Sequence, residues 1–261
     1  MTTDMRQRWP AEQVWQDVYP LLPDFSVEIL PEVDSSNSEL MRRARAGRTD
    51  PVLLVAEHQT AARGRLGREW RTTPGDSLTF SLGLPLAPRD WSGLSLVAGV
   101  AIAEALHPDL GLKWPNDLWW QDRKMGGILV ETAGSGATGA VRYVVVGLGL
   151  NIVTPAVTAG LRTPPAGLRQ LTPGITATEA LGAIVPSLVR ALLDFAQEGF
   201  APWQARFDAR DVLRGRAVVL SDGRQGMAAS VDAGGVLRLQ TEAGWEAVHS
   251  AEVSVRPAAS A

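Results

Sequence analysis

Apolar residues recur along this chain with two different periods, and the switches between them outline its elements. Residues 77–84 alternate apolar with small or polar positions, the mark of a strand with two unlike faces. Residues 52–57 (VLLVAE), 125–131 (MGGILVE) and 143–150 (YVVVGLGL) are near-continuous apolar runs of strand length, consistent with buried strands. Residues 91–106 instead place Leu94, Val97, Ala98, Ala101, Ile102 and Ala105 on one helical stripe, whose small members predict close packing on a sheet. Residues 112–114 and 118–120 read as two strands around a Pro115-Asn116-Asp117 corner.

The remaining helices announce themselves by their ends. Residues 11–22 form a short amphipathic candidate that Pro23 terminates. Residues 33–47 read as a strand end and a helix, with Ser36 and Glu39 as a capping box and Gly47 at the carboxyl cap. Thr176 and Glu179 open another helix that reaches about residue 197, with a kink expected at Pro186. Residues 201–209 make a further short helix, and the Pro-, Gly- and Thr-rich residues 154–175 read as a surface loop.

After Arg214 the texture changes to short strands split by turns, at residues 217–220, 227–231, 236–241, 245–249 and 253–255, with a tail from Pro257. That pattern predicts a small antiparallel barrel. The expected organisation is a short extension over 1–23, a main domain over 24–212 and a small β domain over 213–257.

Composition narrows the function. At 45% hydrophobic and 20% charged, the 261 residues suit a globular protein, and a net charge of −3 argues against nucleic acid as the main partner. There is no cysteine, so disulfides and thiolate metal sites are excluded, and His58, His107 and His249 lack ligand spacing. No bound metal is expected from protein ligands. Residues 1–10 lack the apolar centre of a signal peptide, and residues 94–106 are too short and interrupted to span a bilayer, which points to a cytoplasmic protein with no membrane role.

Two islands carry the chemistry. Residues 62–70 (ARGRLGREW), with Arg71 beyond, crowd Arg63, Arg65 and Arg68 around Gly64 and Gly67. Guanidinium forks match phosphate oxygens, and a loop so charged repels itself until a polyanion neutralises it. Residues 113–131 (KWPNDLWWQDRKMGGILVE) hold Lys113 and Lys124, the only lysines among 25 cationic residues. Where any cation would do, the chain uses arginine, so these ammoniums are candidates for work a planar fork cannot do. Gly147-x-Gly149 is no dinucleotide fingerprint, because the third glycine and following helix are missing.

An R-G-R-x-G-R-x-W loop, then K-W-P-N-D, R-K-x-x-G-I-L-V-E and G-x-G-x-N, in that order, resembles the catalytic core of biotin–protein ligases, or biotin–[acetyl-CoA-carboxylase] synthetases. The similarity runs from about Val33 to Val255. It implies an α+β fold: a mixed, largely antiparallel sheet flanked by helices, like that of class II aminoacyl-tRNA synthetases, with an SH3-like carboxyl-terminal barrel. It also implies the monofunctional kind, since residues 1–23 are too few for a DNA-binding domain. Ala62 departs from the family's first loop glycine, and would strain the turn by roughly 1 kcal/mol if positive φ were needed there.

The resemblance further implies two half-reactions: biotin and MgATP give biotinyl-5′-AMP, and a lysine of a biotin carboxyl carrier protein, the biotin domain of acetyl-CoA carboxylase, then receives the biotinyl group. Ser35, Ser36, Asn37, Gln59, Arg63, Lys124, Gly126 and Gly127 would meet biotin. Arg63, Arg65, Arg68, Trp70, Lys113, Asn116, Lys124 and Asn151 would meet ATP. Lys124 would bridge the biotin carboxylate and the α-phosphate, Arg65 would stabilise the phosphates, and Asp117 would orient or deprotonate the incoming amine. A lipoate–protein ligase, a non-catalytic biotin or nucleotide sensor and an arginine-loop RNA binder are the rival readings, the last disfavoured by the acidic charge. An exposed sheet edge could pair two subunits as a homodimer.

Overall fold

A computed structural model describes residues 8–70, 72–134, 139–156, 163–249 and 254–258. In chain order the elements are α1 (Ala11–Val18), β1 (Ser26–Val33), α2 (Ser36–Arg45), β2 (Val52–Gln59), β3 (Ser77–Leu86), α3 (Leu94–Leu106), β4 (Gly111–Lys113), β5 (Asp117–Trp120), β6 (Arg123–Ala133) and β7 (Arg142–Asn151). There follow α4 (Ala177–Glu198), α5 (Gln204–Asp208), β8 (Ala217–Leu220), β9 (Gln225–Val231), β10 (Leu237–Thr241), β11 (Gly244–Val248) and β12 (Val255–Pro257).

The first seven strands form one sheet in the order β1-β2-β3-β7-β6-β5-β4, parallel only between β1 and β2. This is the mixed, largely antiparallel α+β arrangement expected. The two-residue period then sorts side chains to opposite faces. Leu78, Phe80, Leu82 and Leu84 of β3, with Val144, Val146, Leu148 and Leu150 of β7, join α3 and α4 in the main core. Their sequence neighbours Thr79, Ser81, Gly147, Gly149 and Asn151 fall on the other face, which α2 covers only in part. That second face carries a smaller apolar cluster of Leu40, Met41, Val52, Leu54, Tyr143 and Val145, and then turns polar.

Helix ends follow their local chemistry, with one correction. Ser35, not Ser36, is the N-cap of α2, its side chain accepting from Ser38 N, and Glu39 pairs with Arg42 and Arg43 instead of closing a capping box. At the other end Gly47 (φ 82°) donates to Ala44 O and Arg48 donates to Arg43 O, the Schellman arrangement. Thr176 and Glu179 form the reciprocal box foreseen for α4, which carries Pro186 inside it.

The last five strands make an antiparallel sheet in the order β11-β10-β9-β8-β12, so Pro257 closes a strand and does not begin a tail; residue 253 lies outside the described residues. Its apolar side chains, among them Val218, Val231, Leu237 and Leu239, belong to the same cluster as the main core. Trp114, fully buried, donates its indole N–H to Gly235 O across this junction, while Gly235 packs against Gly93 ahead of α3. Residues 210–212 pair with β4 through Leu112, covering that edge of the large sheet. The opposite edge is β1, where Pro31 lacks a donor and Glu28 and Glu32 add charge, features that discourage an added strand.

At the junction, burial and the neighbouring Asp208 carboxylate push the Asp211 carboxyl up to about 6, although Leu213 N–H donates to it. A carboxyl whose folded value lies above its ordinary 3.8 contributes stability below pH 4 that is lost as pH rises through about 6. Asp211→Asn, which keeps the acceptor oxygen, should therefore stabilise the protein above pH 6 by about 1–3 kcal/mol and change nothing below pH 4. Urea unfolding at pH 8 and at pH 3.5 (roughly, below the unfolded value) measures both ends; an equal effect at each would exclude the titration.

Candidate active site

The polar face of the large sheet opens into a cleft of about 1010 Å³. Strand register builds its floor. Gly147 stands between Ser81 of β3 and Leu129 of β6, and Gly149 stands between Thr79 and Gly127. A Cβ on Gly147 would lie 2.0 Å from Asn37 Oδ1, and one on Gly149 would lie 2.6 Å from the Trp70 ring. The G-x-G spacing is thus two adjacent seats on one strand face, one for an amide and one for an indole.

The amide end is a closed hydrogen-bond network. Asn37 Nδ2 donates to Leu129 O (3.2 Å) and Glu131 Oε2 (3.0 Å), and Ser81 Oγ donates to Asn37 Oδ1 at 2.6 Å. Ser81 Oγ also lies 2.7 Å from Ser36 Oγ. With its one proton committed to an amide oxygen that can only accept, Ser81 must accept there. Gln59 Oε1 accepts from Ser36 N at 2.8 Å, so the first turn of α2 is tied to the end of β2. Ser35, Ser36 and Asn37 are all buried and are positioned before any ligand arrives.

The cationic end is organised by one carboxylate. Asp117 Oδ1 accepts from Lys124 Nζ at 2.6 Å, and Oδ2 accepts from Lys113 Nζ at 3.0 Å. Burial pushes the Asp117 carboxyl up, but the two ammoniums more than offset it and hold it at about 2. Burial pulls the Lys113 ammonium down, with Asp117 opposing. Both Asp117 oxygens are engaged by the two ammoniums. Asn116 donates to Ile128 O at 2.7 Å and accepts from Arg65, fixing the corner that follows the cis Trp114–Pro115 peptide. Lys124 Nζ also lies 5.6 Å from the Trp70 ring centroid, within cation–π range.

The arginine loop borders this cleft and, although Arg68 still repels Arg65, it is tethered at several points. Arg63 donates to Glu131 and to Ser38 Oγ, Arg68 donates to Ser254 Oγ, and Trp70 N–H donates to Ala62 O. Its charge is met partly from within, by Glu131, which the expectation of a loop that repels itself until a polyanion arrives did not include; Arg71 lies outside the described residues. Ala62 is buried and is not among the positive-φ residues, so no strain arises from the missing glycine. The left-handed position falls instead on Leu66 (φ 57°) beside Gly67 (φ 67°). Burial pulls the Arg65 guanidinium down, with Asp117 opposing.

Of the residues assigned from sequence to catalysis, biotin or ATP, all but Gly126 line the cleft. Gly126 faces strand neighbours, where a Cβ would meet Gly149 O at 2.8 Å, so its smallness serves sheet packing. Arg63 spends its fork on Glu131, and Asn151 donates to Ala166 O at 3.0 Å while bordering the cleft. Ser81 and Glu131 were missed: the alternation of residues 77–84 already set Ser81 apart from the apolar face, whereas the near-continuous apolar run 125–131 gave no such signal for Glu131. Ser254 and Arg256 of the small sheet also line the cleft, and no local signal announced them.

Residues 31–151 match the model of the biotin/lipoate A/B protein ligase family. The chain is 34% identical over 244 residues to the bifunctional ligase/repressor BirA of Escherichia coli (strain K12), which covers 89% of this chain and 75% of that protein. It is 32% identical to a biotin--[acetyl-CoA-carboxylase] ligase of Paracoccus denitrificans, covering 86% of this chain and 98% of that protein. Among solved structures, a biotin protein ligase from Aquifex aeolicus in complex with biotin and ATP is similar with a TM-score of 0.74 and 26% identity, over 89% of this chain and 99% of that one.

Gly147→Ala tests the seat under Asn37. Because the amide is held on three sides, the methyl cannot be accommodated by a rotamer change, and we expect a loss of about 1–3 kcal/mol in urea unfolding. An unchanged midpoint would mean the amide is free to move.

Proposed function

The chain belongs to the biotin/lipoate A/B protein ligase family, and on that premise we propose that it condenses biotin with MgATP to biotinyl-5′-AMP and transfers the biotinyl group to a lysine of a biotin carboxyl carrier protein. One observation carries the reading: a closed, buried amide–hydroxyl network and a cluster of cations share one cleft, and the Lys124 ammonium stands on the cationic side of the boundary between them.

The network around Ser36, Asn37, Gln59 and Ser81 would present a fixed polar surface to a small cyclic urea, which would exchange some of these internal bonds for its own, with little side-chain entropy left to lose on binding. The carboxylate of the same ligand would then extend toward Lys124. Attack of that anion on the α-phosphate of a polyanion is opposed by charge, and the barrier falls when preorganised cations converge on the oxygens that share it. Lys124 supplies a compact ammonium at the meeting point. Arg65 and Arg68 face the phosphates from the loop, and Lys113 supports the site from behind Asp117. Trp70 covers the floor at Gly149, where its buried indole nitrogen has no partner and can donate to a ligand acceptor. Asn151 borders the region left for the nucleotide base.

Magnesium would arrive on the nucleotide as MgATP, held mainly by the phosphates. The carrier lysine must arrive as a neutral amine, about one molecule in 2,500 at pH 7 without perturbation. It attacks the acyl carbon, the bond to the phosphate oxygen breaks, and AMP leaves. No helix among the described residues is long and apolar enough to cross a membrane.

Incubation with biotin, MgATP and an isolated carrier domain should yield a streptavidin-reactive carrier; lipoate in place of biotin should not compete. Lys124→Arg keeps the charge but overfills the gap between two oxygens, and should lower biotin-dependent pyrophosphate release by about 100-fold or more. Activity within a factor of about three would show that any cation suffices.

A further inference from the structure

The only two side-chain amines of this 261-residue chain donate to the same carboxylate. All other cationic side chains are guanidinium groups, which stay protonated and do not accept acyl groups under these conditions. This distribution matters because the ligase reading makes the protein hold an acyl-adenylate, a reagent that acylates neutral amines. No amine is better placed to intercept it than Lys124, whose Nζ lines the cleft and remains partly exposed to it.

Self-acylation has a definite course. The Lys124 nitrogen lone pair would add to the acyl carbon, the bond from that carbon to the phosphate oxygen would break, and AMP would leave with the electron pair. The nitrogen would release its proton to solvent and end as a neutral amide. The enzyme would lose its bridging cation and carry its own product. A nitrogen that holds all its protons has no lone pair to offer. Asp117 presents a buried carboxylate 2.6 Å from Nζ, and an ion pair this close is strongest while the amine carries its full positive charge and so has no lone pair. Its second oxygen does the same for Lys113, at 3.0 Å.

We propose that Asp117 is a positioning residue that shields Lys124 from acylation by the enzyme's own adenylate, so that the bound biotinyl group waits for an amine delivered by the carrier. This rests on the ligase reading, and it replaces proton abstraction by Asp117 with the opposite duty. The absence of lysine outside positions 113 and 124 complements this protection at the surface, where escaping adenylate finds no side-chain amine on the chain that made it.

The test supplies synthetic biotinyl-5′-AMP without carrier, which bypasses the first half-reaction, and maps the adducts by peptide mass spectrometry. An Arg89→Lys reporter, at an exposed position away from the cleft, supplies a surface amine in the same molecule. In the otherwise native protein Lys124 should be acylated at least about ten-fold more slowly than the reporter, despite lying against the bound adenylate. Asp117→Asn should raise the Lys124 adduct at least about ten-fold, the scale of one charge-assisted hydrogen bond, and Asp117→Glu should restore protection more than it restores turnover. If Asp117→Asn fails to fold, the comparison of Lys124 with the reporter decides alone. The proposal is overturned by a native Lys124 labelled as fast as the reporter, or by an Asp117→Asn protein that binds the adenylate and gains no adduct. The two readings fail separately: an unlabelled carrier removes the ligase, whereas an enzyme that labels its carrier and also its own Lys124 removes only the shield.

Discussion

A single buried carboxylate between two ammoniums is the constraint around which the cleft is arranged. Left alone, either lysine would be a costly charge at the end of a sheet, and Asp117 would be an unpaired anion in apolar surroundings. Together they place a net positive charge at a fixed point, with Asp117 on β5, Lys113 on β4 and Lys124 on β6. Three neighbouring strands therefore have to keep register for the site to exist. The irregular pairing of β5 with β6 at Leu118 and Trp119 falls at this place, bringing Lys124 alongside Asp117.

The rest of the site is a use of β-sheet geometry. Because side chains alternate, the residues between the core-facing leucines and valines of β3 and β7 are free to be small or polar. Glycines at 147 and 149 then let an asparagine from α2 and a tryptophan from the loop lie directly on the backbone. A pocket of this kind is carved by what the strands omit, and its polar lining comes from elements laid across them.

Much of this was legible from sequence, and for physical reasons. Strand runs such as residues 143–150 and the Thr176–Glu179 cap act through local chemistry, so they read correctly. The lysine pair was conspicuous by composition. What was not legible required knowing which segments meet. The cap of α2 shifted to Ser35 because Gln59, distant in sequence, takes the Ser36 N–H. That Arg63 meets Glu131, 68 residues away, could not be read from the loop alone. Gly126 and Gly127 looked equivalent, yet the pleat sends them to opposite sides. The role of the small sheet at residues 254–256 had no local signature, since it depends on how the two sheets stack. The boundary near residue 213 is a change of sheet within one continuous apolar core.

That shared interior limits how the molecule can breathe. Swinging the carboxyl-terminal sheet away would pull Trp114 from Gly235 O and expose the leucines and valines packed beneath it, a penalty far larger than that of shifting a surface loop. Rigid-body rocking between the two sheets is accordingly the harder movement, and the segment bearing the arginines is the softer one. Ser254, immediately before the last strand, then acts as a doorpost: Arg68 donates to it, so the entrance is framed by the arginine segment on one side and by the far sheet on the other.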